Sequence, residues 1–170
     1  MWYLLHCPPK SEEMVLQKYK ESVDGKVLSN AFIFTYDRMR RYLGDWHHEK
    51  NNLFPGYIFL ESDEIQSIQE ARECYLRMTE EEWDAAGSLR VVLPEEQKFL
   101  KTFCGRQHHV AMSKGVIRSG ETLVTEGPLT GRENLITRID RHKRTAFLKT
   151  PMLAGKGPVQ VGLEITEKIE

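Results

Sequence analysis

Beyond Gly105 no apolar residues recur at helical spacing, and this constrains the chain more than any other feature. The stretch 106–120 (RQHHVAMSKGVIRSG) is polar, basic and punctuated by glycine, the composition of a linker. After it, Thr122–Thr125, Leu135–Ile139, Thr145–Lys149 and Val159–Ile165 are short β-rich runs separated by turn signals. Such a segment can bury a core only as a small all-β barrel. Upstream of Gly105, strand-like and helix-like runs alternate. The expected organisation is therefore an α+β domain over 1–105, a linker over 106–118 and a small β domain over 119–170. A length of 170 residues accommodates one domain of ~100 residues and a module of ~50–60.

Charge divides at the same boundary. Residues 1–105 hold 13 Lys+Arg against 18 Asp+Glu, net -5, while 106–170 hold 11 against 7, net +4. The overall balance of -1 hides two regions suited to different partners. The positives of the second region concentrate in Arg138-Ile139-Asp140-Arg141-His142-Lys143-Arg144, with Lys149 and Lys156 following. A turn that basic repels itself, so it is either simply solvated or built for phosphates.

Within 1–105, Trp2–Cys7 reads as a strand stopped by Pro8-Pro9. Ser11 is a candidate N-cap, Glu12 and Glu13 suit a first helical turn, and Val15, Tyr19 and Val23 share one face. Ala31–Tyr36 (AFIFTY) is expected to be one strand, leading through Arg38-Met39-Arg40-Arg41 to a turn near Gly44-Asp45. The polar return arm, Trp46–Lys50, should stand away from the main sheet. Tyr57–Leu60 is the next strand, followed by a cap at Ser62-Asp63-Glu64 and a helix carrying Ile65, Ile68, Arg72 and Leu76. Glu80-Glu81-Glu82 reads as a solvated turn. Leu89–Leu93 gives a short strand, and Pro94 with Glu95-Glu96 starts a third helix that ends at Gly105. The outcome is an antiparallel sheet flanked by helices.

The stretch NLFPGYIFLE (52–61) is unusual, because Pro55 and Gly56 break a ladder at the mouth of an apolar strand. Pro55 fixes the entry and Gly56 leaves bare backbone, so Phe54 and Tyr57 are free to turn toward one apolar depression with Trp2 or Tyr3. The same aromatics would equally serve as plain core.

Cys7, Cys74 and Cys104 are odd in number and contain no CxxC, which points to apolar fillers rather than a disulfide frame or a zinc ribbon. His6-Cys7, His47-His48 and His108-His109 match no ligand spacing. Adjacent histidines on a strand face opposite ways, so each pair offers one ligand. No enzyme activity, metal or cofactor is expected. Nothing resembles a signal peptide or a span of ~20 apolar residues, and a cytoplasmic monomer with no membrane partner is expected.

Trp2-Tyr3 opening the first strand, Phe54-Pro55-Gly56-Tyr57 before an apolar strand, and a β module containing Gly127-Pro128-Leu129-Thr130-Gly131 together resemble the NusG family of bacterial transcription elongation factors. Over essentially the whole chain, this implies an NGN-like domain followed by a KOW (SH3-like) barrel over Gly120–Phe147 and beyond, with Gly131 in the tight turn between two strands. It also implies that Trp2, Tyr3, Phe54, Pro55, Gly56 and Tyr57 grip the clamp helices of the largest RNA polymerase subunits, a helix-in-groove contact with aromatic anchors. Arg38, Arg40 and Arg41 become candidates for upstream or non-template DNA, against the alternative of a solvated face.

Ser113-Lys114-Gly115, Ile139–Ala146 and Val161-Gly162-Leu163-Glu164-Ile165 most resemble the specialised paralogs called LoaP. Those are processive antiterminators that recognise an RNA hairpin in the nascent leader transcript. The resemblance implies that Arg138, Arg141, His142, Lys143, Arg144, Lys149 and Lys156 are RNA-binding, reading a stem through phosphates and shape. Leu129 stands where the general factor usually has an aromatic that helps contact Rho or the ribosome, which weakens both of those contacts here. The alternatives are a general NusG-type elongation factor without hairpin specificity and, more distantly, a ribosome-associated β module.

Overall fold

A computed structural model describes residues 1–22, 30–78, 88–149 and 158–170. The expected acidic turn at 80–82, Val23 and Lys156 lie outside the described residues. Two units are present, Met1–Ile33 with Phe54–Lys98, and Phe34–Leu53 with Phe99–Glu170.

In the first unit β1 (Trp2–His6) occupies the interior of a four-stranded antiparallel sheet with β2 (Asn30–Phe32), β5 (Tyr57–Glu61) and β6 (Leu89–Val91), in the order β2-β5-β1-β6. Strand alternation sends Tyr3 and Leu5 of β1, with Cys7 just after it, and Ile58 and Leu60 of β5 to one face. There they bury against Val15 and Tyr19 of α1 (Glu12–Ser22) and Ile68 and Ala71 of α2 (Ile65–Met78). Each buried Leu, Ile or Val side chain among them contributes about 1.5–3 kcal/mol, and the Tyr19 hydroxyl donates to the Ala71 carbonyl. Ser11 precedes α1, but its hydroxyl donates to the Pro8 carbonyl at 2.5 Å. The third helix, α3 (Pro94–Cys104), begins with a capping arrangement in which Glu96 accepts the Leu93 N–H at 2.9 Å. The same carboxylate holds Arg90 at 2.8 Å through both oxygens.

The AFIFTY run is two strands rather than one. Asn30–Phe32 ends at the first sheet, and after a break at Ile33-Phe34 the chain forms β3 (Thr35–Tyr42), which pairs with β4 (Asp45–Asn52). An unbroken apolar run carries no mark of a change of sheet. The hairpin belongs to a separate sheet, to which β7 (His109–Val110) adds in the order β4-β3-β7.

The segment 106–118 is not a bare linker, since it carries β7 and β8 (Ser113–Arg118). Glycine-punctuated polar sequence suits two-sided β-structure as well as linkers. Here its backbone groups pair with Thr35 and Tyr36 and with β9 (Glu121–Glu126). The five-stranded sheet β10-β11-β12-β8-β9 contains β10 (Ile136–Asp140), β11 (Thr145–Leu148) and the long β12 (Val159–Ile169), with one 3₁₀ turn at Glu133–Leu135. Its core includes Val124, Leu129, Ala146, Leu148, Val161 and Leu163. Gly131 has φ +74° in the loop before the 3₁₀ turn. Among the described residues no helix is long and apolar enough to cross a membrane.

Close packing joins this sheet to the β3–β4 hairpin. A Cβ at Gly162 of β12 would lie 2.2 Å from the Met112 sulfur and 2.5 Å from the Asp37 carbonyl oxygen, so only glycine fits. Asp37 is the hub of the joint. Its Oδ1 accepts from His48 Nε2 at 2.7 Å and from His109 Nε2 at 2.8 Å, and its Oδ2 accepts the Met112 N–H at 3.1 Å. Partial burial acts to raise the pKa of Asp37, but the bonds from His109, His48 and the Met112 N–H outweigh it and hold the carboxyl below its ordinary value.

Candidate functional site

The aromatic residues expected at a partner surface separate by face. Trp2 packs edge-on against Phe32, with centroids 5.2 Å apart, and against Phe59 at 6.4 Å, and Phe54 meets Phe59 at 5.7 Å. Trp2 and Phe54 thus share one face. Tyr3 lies on the other, within the core against α1 and α2. Trp2, Tyr3 and Phe54 are all buried, so none of the three forms an open depression. Tyr57 stacks on His6, 4.7 Å between centroids and 16° between planes, and is half-buried, and Pro55 is exposed. What the chain presents at this point is a rigid turn, Pro55-Gly56-Tyr57, backed by buried rings.

That turn is fixed from both sides. Gly56 has φ +85°, a left-handed conformation that L side chains resist. Its N–H donates to Glu12 Oε1 at 2.6 Å and its carbonyl accepts from the Cys7 N–H at 2.9 Å. Glu12 is almost wholly buried to do this, and nothing in the local sequence around 54–57 signals it.

The basic turn between β10 and β11 also divides. Arg141, His142 and Lys143 are exposed, and the Asp140 carboxylate shapes the turn by accepting the Lys143 N–H at 3.0 Å. Arg138 is exposed on β10 with its guanidinium 4.0 Å from the centre of the Phe147 ring. Lys149 is exposed at the end of β11. Arg144 is different, because its guanidinium lies 4.0 Å from the centre of the Trp46 ring and 3.2 Å from Glu164. It belongs to the joint with the hairpin, and local sequence cannot reveal that Trp46 claims it.

The three arginines of β3 do not form one strip. Alternation places Arg38 and Arg40 on one face with Tyr42, and Arg41 on the other with Asp37, Met39 and its pairing partner Trp46. Arg40 lies 3.9 Å from Glu49, and Tyr42 stacks on His47 at 3.6 Å. Leu129 is fully buried, with its N–H donated to Ser113 Oγ at 3.2 Å, so it offers no surface to a partner.

The histidines of each pair reach different partners. His47 bonds the Tyr42 carbonyl at 3.2 Å while His48 reaches Asp37, and His108 meets Phe34 edge-on while His109 bonds Asp37 and the Thr35 hydroxyl. Among the described residues no group of three or more His, Cys, Asp or Glu is placed to hold a metal. Burial pushes the Cys7 thiol up to about 11 and the Cys104 thiol up to about 12, so neither is a thiolate near neutral pH.

Residues 1–98 match the family described as transcription termination factor nusG. None of the curated proteins matches the sequence. Among solved structures, a crystal structure of the MjSpt4:Spt5 complex in conformation B is similar at 11% identity and a TM-score of 0.34, over 95% of this chain and 92% of that one. With the four-stranded sheet, α1, α2 and the rigid Pro55-Gly56-Tyr57 turn all lying inside the matched residues, this chain belongs to the NusG family of transcription elongation factors.

Proposed function

We propose that the chain is an RNA-recruited antiterminator of the LoaP kind, acting on RNA polymerase in a bacterial cytoplasm. The carrying observation is the exposed turn Arg141-His142-Lys143, beside exposed Arg138 and Lys149, in a chain of this family. The N-terminal unit binds the clamp helices of polymerase through Pro55 and Tyr57, with Trp2, Tyr3, Phe54 and Gly56 holding that edge in shape. It bridges the clamp and keeps polymerase in a closed, pause-resistant state. The KOW-like strands bind a hairpin in the leader transcript through Arg138, Arg141, His142, Lys143 and Lys149, with Lys156 a further candidate. RNA binding raises the effective concentration of the factor at its own polymerase. Arg38 and Arg40 are candidates for upstream or non-template DNA, and Arg41 faces the joint instead. Arg144 serves the RNA site indirectly, by holding the hairpin.

The test is binding of the full chain to hairpin RNA and to duplex DNA across a salt series. Each of Arg141→Ala and Lys143→Ala should lower the slope of log affinity against log salt by about 0.7–0.9. Arg144→Ala should leave that slope unchanged while altering Trp46 fluorescence. Binding indifferent to RNA structure, or equal slopes in all three variants, would leave a general elongation factor.

A further inference from the structure

Arg138, Phe147 and Gln160 lie directly opposite one another on β10, β11 and β12, through the pairs Arg138 with Phe147 and Phe147 with Gln160. Cross-strand partners share a face, so the three side chains form one row. Arg138 and Gln160 are exposed and Phe147 is half-buried. The ring holds the guanidinium at 4.0 Å, which fixes a cation that would otherwise sample many rotamers. Among the described residues no carboxylate pairs with Arg138, so one side of the planar cation is available. Lys149 follows Phe147 by two residues and is exposed, and Arg141 and Lys143 stand at the turn of the same hairpin.

A flat cation backed by a ring suits a flat π ligand better than a single phosphate, since stacking uses its whole plane. Gln160 adds a group that both donates and accepts, which is what reading the edge of a base requires. The surrounding charges supply the attraction for a polyanion. In RNA, a base offers its face and edge only where it is unstacked, in a loop, bulge or end.

We propose that Arg138, Phe147 and Gln160 form a subsite for one unpaired nucleobase of a bound RNA. The base stacks on the outer side of the Arg138 guanidinium, the Gln160 amide bonds to its edge and Lys149 takes a neighbouring phosphate. This deepens the RNA reading of the C-terminal strands and rests on it. It divides the site into a turn that senses phosphates and a sheet face that senses a base.

The experiment measures binding of the full chain to an RNA stem closed by an oligouridine loop, the same stem closed by oligoadenosine, the same loops made abasic, and the blunt stem. Wild type should lose about tenfold in affinity when the preferred loop becomes abasic. Arg138→Lys, which keeps the charge, and Phe147→Leu, which keeps an apolar side chain, should both bind the intact loop as weakly as wild type binds the abasic one. Neither should discriminate further, and the salt slope of Arg138→Lys should match wild type. Circular dichroism confirms that both variants are folded. If wild type tolerates abasic loops, or Arg138→Lys binds the intact loop as tightly as wild type, the base subsite is wrong while salt-dependent RNA binding stands. If none of these RNAs binds, the subsite and the RNA reading fall together.

Discussion

Glu12 and Gly56 show how a buried charge can shape a surface. The Glu12 carboxylate accepts the Gly56 N–H at 2.6 Å from the first turn of α1, a position where the helix dipole also favours an anion. Replacing Glu12 by Ala should cost about 1–3 kcal/mol, because it leaves a buried N–H unpaired. Glu12→Gln, whose amide oxygen still accepts, should cost less, as read by denaturant unfolding. The sequence identified the turn through its proline and glycine but not the residue that fixes it. Glu12 looks like any first-turn acid until α1 is laid against the sheet. Arg144 is the same kind of case, since one of four similar neighbours is taken by a distant tryptophan and a glutamate.

At the scale of elements, strands and helices with a clear period were legible. β1, β5, β9, α2 and α3 lie where their apolar spacing and caps put them. The break between β2 and β3 was not legible, and β7 and β8 were hidden in a composition that also suits linkers. The Asp37 joint ties β3, β4 and β7 to the segment entering β8, and its members are scattered through the sequence. Asp37→Asn should therefore destabilise the fold by about 1–3 kcal/mol near neutral pH. The folded carboxyl titrates below its unfolded value, so its stabilisation is present above about pH 4 and is lost as pH falls through the lower folded value. Urea unfolding of both proteins across that range should show their stabilities converging. A second prediction belongs to the turn entering β5. Tyr57→Ala should weaken binding to a clamp-helix coiled coil about tenfold or more while leaving circular dichroism unchanged.

For the whole molecule, the charge changes sign at Gly105, from net -5 before it to net +4 after it, and that contrast was readable from composition alone. The compact units are drawn differently, because the β3–β4 hairpin joins the C-terminal strands rather than the sheet that precedes and follows it in sequence. Linear composition cannot reveal such an exchange. It depends on Gly162 meeting the Asp37 backbone and on Arg144 meeting Trp46. The central claim is that RNA recruits this factor to polymerase. Its most direct test is single-round transcription through a terminator by RNA polymerase with the full chain, on two templates that differ only in whether the leader encodes the hairpin selected in the binding assay. The account predicts raised read-through on the hairpin template alone, abolished by the double substitution of Arg141 and Lys143 to Ala. Equal read-through on both templates, unchanged in that variant, would contradict it.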